Sequence, residues 1–153
     1  SIKFDEERVF DDINNEIADW IKNDITSDDD FNNKDFRALL ILDDVITSVM
    51  KQKNKQVQLL WIKSRHLKLS IILVSHKFTY IPRLLRTNCT HFITFRSKSK
   101  KEIESVYDDL IDLDEDTWED VYAYATAEKF QFLYVTVNEN PQKYYKCFTE
   151  RLV

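Results

Sequence analysis

The chain of 153 residues contains no glycine. Glycine takes left-handed backbone without steric cost and lets main chain approach a ligand closely. A phosphate-cradling P-loop (Walker A), a dinucleotide-binding glycine turn and a glycine-flanked nucleophile elbow all depend on such positions. Whatever these residues do, they do not grip a triphosphate with a Walker A loop of their own.

At 43% hydrophobic and 13% aromatic, the sequence excludes a disordered tail and suffices for one core, so residues 1–153 are expected to form a single domain. Cys89 and Cys147 lie far apart without a C-x-x-C spacing, which suggests reduced, intracellular thiols rather than a disulfide framework or zinc site. No apolar run reaches the roughly 18 residues that span a bilayer, and no signal-peptide pattern opens the chain, so a soluble protein is expected.

The net charge of −5 conceals an asymmetry. Residues 1–50 hold 5 basic and 14 acidic side chains, residues 51–101 hold 13 basic and none acidic, and residues 102–153 hold 4 basic and 13 acidic. A carboxylate-free middle third suits a polyanion-facing surface, while acidic flanks oppose indiscriminate binding to nucleic acid. Pairing of these cations with the acidic flanks after folding is the plain alternative.

Val9, Phe10, Ile13, Ile17, Trp20 and Ile21 recur at helical spacing and predict an amphipathic helix over residues 5–23, followed by a polar loop through Lys34. Residues 38–42 form an apolar run ending in Asp43 and Asp44, which predicts a strand buried on both faces of a parallel sheet. A helical pattern restarts over residues 45–50, residues 51–56 predict an exposed basic loop, and residues 57–65 predict a further helix. Residues 69–74 predict a second buried strand, ending in Ser75 and His76. Pro82 suits the first turn of a short helix through Arg86, and residues 91–95 alternate like a third strand. Ile103, Val106, Tyr107 and Leu110 mark one helix; Trp118, Val121, Tyr122 and Ala125 mark another, and Trp118, Tyr122 and the other aromatic residues read as core. Residues 132–137 and 144–148, joined through Asn138, Asn140 and Pro141, predict a closing hairpin. Strands alternating with helices of this length predict an α/β layer fold with a mainly parallel sheet.

In such sheets the ligand crevice lies outside the carboxyl ends of the strands. Asp43 and Asp44 and the pair Ser75 and His76 are both predicted on that edge. This is the arrangement of a Walker B motif, in which one acid holds Mg²⁺ through water and a second orients or deprotonates the attacking water. An Asp pair after an apolar run also serves as a helix N-cap, so that motif alone leaves both readings open.

The ordered set formed by residues 39–44, 63–76 and 81–95 resembles the poxvirus-type genome-packaging ATPases of the FtsK–HerA superfamily, with the resemblance strongest over about residues 36–110. It implies a three-layer P-loop NTPase fold with Walker B at 39–44, a sensor strand at 69–76 and an arginine-finger segment at 81–88. Residue by residue, Asp43 corresponds to the Mg²⁺-associated acid and Asp44 to the residue that polarises the attacking water. Ser75 and His76 occupy the sensor position, where relatives commonly carry glutamine at the second place. Arg83 and Arg86 fall where the family places an arginine reaching the neighbouring subunit's γ-phosphate, and Arg86 is the preferred candidate. Lys51, Lys53 and Lys55 are candidates for lining a DNA channel, with a solvated loop as the alternative reading. Arg65 and His66 resemble a family feature and also suit a helix cap; His91 reads as structural.

The resemblance implies ATP and Mg²⁺ as cofactors, double-stranded DNA as partner, a homo-oligomeric ring, a viral capsid portal or vertex as docking point, and a host-cytoplasmic virus factory or the virion as location. In relatives the Walker A loop precedes Walker B by many tens of residues, whereas about forty glycine-free residues precede it here. The chain, opening on Ser1, is therefore expected to be the C-terminal portion of a longer ATPase, inactive alone. The competing expectations are a non-catalytic DNA- or subunit-binding module derived from such an ATPase, and another RecA-like helicase or partition ATPase.

Overall fold

The structure, a computed structural model, describes residues 37–44 and 55–153; the helix expected over residues 5–23, the loop after it and the pattern over residues 45–50 lie outside the described residues. The chain divides into two compact units between His76 and Lys77.

In the first unit, strand β1 (Ala38–Asp43) pairs in parallel with strand β2 (Leu69–Val74), in register from Ala38 opposite Leu69 to Asp43 opposite Val74. Helix α1 (Lys55–Lys63) lies between them in sequence. The helix therefore starts inside the stretch expected to be a loop, at Lys55. Its exit is closed by Leu69 N–H donating to the Ser64 carbonyl at 2.9 Å, with Lys68 turned to a φ of 50°. The strands are not buried on both faces as their unbroken apolar runs suggest. Burial alternates with the pleat: Leu40 and Leu42 are buried, whereas Leu39, Ile41, Ile72 and Val74 are exposed.

The second unit is built on an antiparallel sheet of β3 (His91–Phe95), β4 (Phe132–Thr136), β5 (Lys143–Lys146) and β6 (Glu150–Arg151), in that order. The expectation of a mainly parallel sheet thus holds only for β1 and β2 among the described strands. Two helices, α3 (Lys100–Leu110) and α4 (Glu115–Ala125), separate β3 from β4. One crossover helix returns the chain for a parallel strand, whereas a pair of helices brings it back to the end it left, and the next strand runs antiparallel. The closing hairpin is present as β4 and β5.

Val106 of α3 and Trp118, Val121, Tyr122 and Ala125 of α4 pack with Leu133, Val135 and Tyr144 into the core. Asp114 caps α4 by accepting from Thr117 N–H at 3.0 Å; that hydrogen bond holds its carboxyl below the ordinary range, and Glu115 and Asp116 add charge favourable to the helix N-terminus. The opposite face of the sheet carries rings that touch one another: Phe95 meets Phe132 at 5.6 Å, and Phe148 meets Phe132 at 4.9 Å and Tyr134 at 5.3 Å. Trp118 and Tyr122 are core residues as expected, but Phe95, Phe130 and Phe148 are exposed.

A chain without glycine must still turn. Among the described residues Asp44, Lys68, Phe130 and Cys147 occupy positive φ, each meeting the Cβ clash that glycine would avoid.

Candidate active site

The parallel register ends with Asp43 opposite Val74. One further bond follows, from Asp44 N–H to the Val74 carbonyl at 3.3 Å, before Asp44 turns at a φ of 49°. Aspartate tolerates this left-handed region better than most residues, which suits it to a strand end where the chain must leave the sheet abruptly. The acidic pair and the Ser75–His76 pair consequently share one edge, at the carboxyl ends of neighbouring parallel strands.

Asp43, Asp44 and His76 are exposed there and Ser75 is half-buried. His76 Nε2 lies 3.7 Å from Asp44 Oδ2. Two accessible carboxylates beside an imidazole and a hydroxyl offer oxygen ligands for a hard cation and hydrogen-bond partners for water. Mg²⁺ keeps several waters and is commonly held through one or two carboxylates with substrate phosphates, so these residues fit it without an all-protein cage. A phosphate-cradling loop is not found among the described residues.

At the opposite ends of β1 and β2, Arg37, Arg65 and Lys68 line one shallow groove with Leu69 and Ser70. Arg65 and His66 are exposed in the turns that follow α1. Lys51 and Lys53 lie outside the described residues; Lys55 is the first residue of α1.

In the second unit Pro82 caps helix α2 (Arg83–Arg86), a single turn that places both arginines on one side. The two are not equivalent. Arg86 Nη1 donates to Asp109 Oδ2 at 2.6 Å, and its guanidinium lies over the Phe78 ring, 4.7 Å from the centroid. Arg83 Nε donates to Asp109 Oδ1 at 3.0 Å. Arg86, the candidate preferred on sequence, is thus engaged on two sides. The partner that engages it, Asp109 on α3, carried no sequence signal, being one of many acids in its stretch and far from the arginines along the chain.

Helix α3 grips this segment a second time. Glu102 accepts from Thr79 N–H at 3.2 Å and from Thr79 Oγ1 at 2.5 Å, fixing the 3-10 turn Phe78–Tyr80 that carries Phe78. His91 stacks on Tyr134, with Nδ1 2.9 Å from the tyrosine hydroxyl, a pairing within the sheet.

A family model described as Poxvirus A32 protein matches residues 12–112, about two thirds of the chain. The matched span includes Asp43, Asp44, Ser75, His76, Arg83, Arg86 and Asp109. No curated protein and no solved structure matches.

Proposed function

The chain belongs to the Poxvirus A32 protein family, a viral packaging ATPase family, and from that membership we propose that it is part of an ATP-driven motor moving double-stranded DNA into a viral capsid. The observation that carries the proposal is the shared edge at which Asp43, Asp44 and His76 stand exposed at the ends of two hydrogen-bonded parallel strands. Ligands of open α/β sheets bind at that end.

ATP bound with Mg²⁺ supplies the phosphoryl group and the charge neutralisation that its transfer requires. Asp43 is the residue to hold the metal through its water shell. Asp44 is assigned the hydrogen bond from the attacking water; its exposure at the strand end and its left-handed backbone, which ends the ladder there, support that role. Ser75 and His76 offer a hydroxyl and an imidazole toward the same edge, in the sensor role. The arginine-bearing α2 supplies cationic charge to a neighbouring subunit's phosphate, and the phosphate-cradling loop is assigned to polypeptide other than these residues. Double-stranded DNA, a homo-oligomeric ring, a capsid portal or vertex, and a virus factory or the virion complete the proposed setting. Lysines of the basic middle third, Lys51, Lys53 and Lys55 among them, are proposed to meet DNA phosphates in a sequence-independent grip.

The test is Asp44→Asn in the complete ATPase. ATP binding is retained and hydrolysis falls by at least about two orders of magnitude, the scale of a lost general base. Unchanged turnover removes Asp44 from the role. The glycine-free sequence favours a second reading, a non-catalytic DNA- or subunit-binding module. If the complete protein binds DNA but never ATP, that second reading replaces the motor.

A further inference from the structure

We propose that Arg83 is the anion-engaging arm of α2, and that Arg86 and Asp109 are the positioning pair that keeps it available; the inference rests on the reading above that this segment meets a phosphate.

Two guanidiniums share one carboxylate, so the cluster carries a surplus positive charge. Exposure decides where that surplus sits. The Asp109 side chain is 8% exposed and that of Arg86 14%, whereas Arg83 is 75% exposed. Arg86 is further committed by the Phe78 ring beneath it, and its Nε is buried without a hydrogen-bond partner. A guanidinium in that position cannot swing to a ligand without uncovering Phe78 and stranding a buried acid. Arg83 meets Asp109 through Nε, and with three quarters of its side chain exposed much of its five-donor group stands toward solvent.

The second arginine explains how the first can move. If Asp109 had Arg83 as its sole partner, drawing Arg83 to a phosphate would leave an uncompensated carboxylate in a poorly solvated site. With Arg86 in place, Asp109 stays neutralised whichever way Arg83 turns. The scaffold is rigid where it must be: Leu85 is buried, Asn88 Nδ2 closes the helix on the Leu84 carbonyl at 2.8 Å, and Glu102 holds Thr79.

The experiment follows the arginine Nε–H signals of the 153-residue chain by NMR during titration with inorganic pyrophosphate. The Arg83 signal shifts saturably while the Arg86 signal stays in place. Arg83→Ala abolishes the saturable response and leaves the melting temperature nearly unchanged. Arg86→Ala weakens pyrophosphate binding roughly fivefold, because Asp109 now competes alone for Arg83, and Asp109→Asn added to Arg86→Ala restores it. A residue that merely supports the fold would lower melting without this rescue. A shift at Arg86 rather than Arg83, no saturable shift at either, or absence of rescue overturns the assignment. In the complete ATPase, Arg83→Ala subunits regain turnover when mixed with Asp44→Asn subunits. Pyrophosphate binding at Arg83 without such recovery would uphold the arm and refute the motor reading.

Discussion

Asp44 and His76 face each other at 3.7 Å across the ends of two parallel strands, and Asp44 stands there at a φ of 49°. The backbone geometry limits how the site can be probed. Alanine at this φ meets its Cβ clash without a side chain able to hydrogen-bond locally, at a cost of about 1–2 kcal/mol. Asparagine tolerates the same conformation. Asp44→Asn should therefore melt close to the parent chain, whereas Asp44→Ala should lose about 1 kcal/mol, measured by urea denaturation. Equal stability of the two variants would show that the strand end does not hold Asp44 in the left-handed region.

Phe130 offers the cleaner test of what the absence of glycine costs. It sits at a φ of 69° and the residue is 79% exposed, so replacement sacrifices little beyond a surface contact with Lys129. Phe130→Asn should stabilise the chain by up to about 1 kcal/mol, seen as a melting temperature about 2–4 °C higher. A lower melting temperature would mean that the exposed ring contributes more than the strained backbone costs.

Strand β1 was legible because a short unbroken apolar run stops at two carboxylates, although the pair alone suited a helix N-cap equally well, and β2 was readable residue for residue from its branched side chains. Helices α3 and α4 announced themselves through the 3.6-residue recurrence of Val106, Leu110, Trp118 and Val121. What local pattern does not carry is which element lies beside which. Alternation in residues 91–95 predicts a strand, but its antiparallel neighbour is set by the helix pair between Phe95 and Phe132. The aromatic residues of β4 gave no sign of which face would be covered, since both parities carry large side chains. Arg83 and Arg86 lie three apart on one turn, and the resemblance favoured Arg86, the one that the structure finds engaged on two sides. Only Asp109 and Phe78, brought in by tertiary packing, separate them.

Tyr144 links the hairpin to the end of α3. Its hydroxyl lies 2.6 Å from Asp112 Oδ1 and 2.5 Å from Gln142 Oε1, and accepts from Asp112 N–H at 3.3 Å. Burial, reinforced by the Asp112 carboxylate, pushes its pKa well above the ordinary tyrosine value of 10.0; burial also raises Tyr122. A pKa raised on folding gives stability that is complete below the unfolded value and lost as pH rises through the folded one. Stability should thus decline above pH 10. Tyr144→Phe should cost about 1–2 kcal/mol at neutral pH, by orphaning its partners, and should make the alkaline decline shallower. A variant with an unchanged alkaline limb would place the titration elsewhere.

Glu102 governs the acid side by the opposite sign. Burial works against its charged form, but the hydrogen bonds from Thr79 outweigh it and hold the carboxyl below the ordinary value of 4.5. A pKa depressed on folding contributes stability above the unfolded value, which is lost as pH falls through the folded one. Thr79→Val removes the hydroxyl donor and should bring the folded pKa toward the ordinary one, flattening the stability profile below pH 4.5. The same change loosens the turn that carries Phe78 beneath Arg86, so the Arg86 Nε–H signal should broaden or shift in Thr79→Val at neutral pH. A flattened acid limb with an undisturbed Arg86 signal would separate the two grips of α3 and show that Asp109 alone holds the arginine segment.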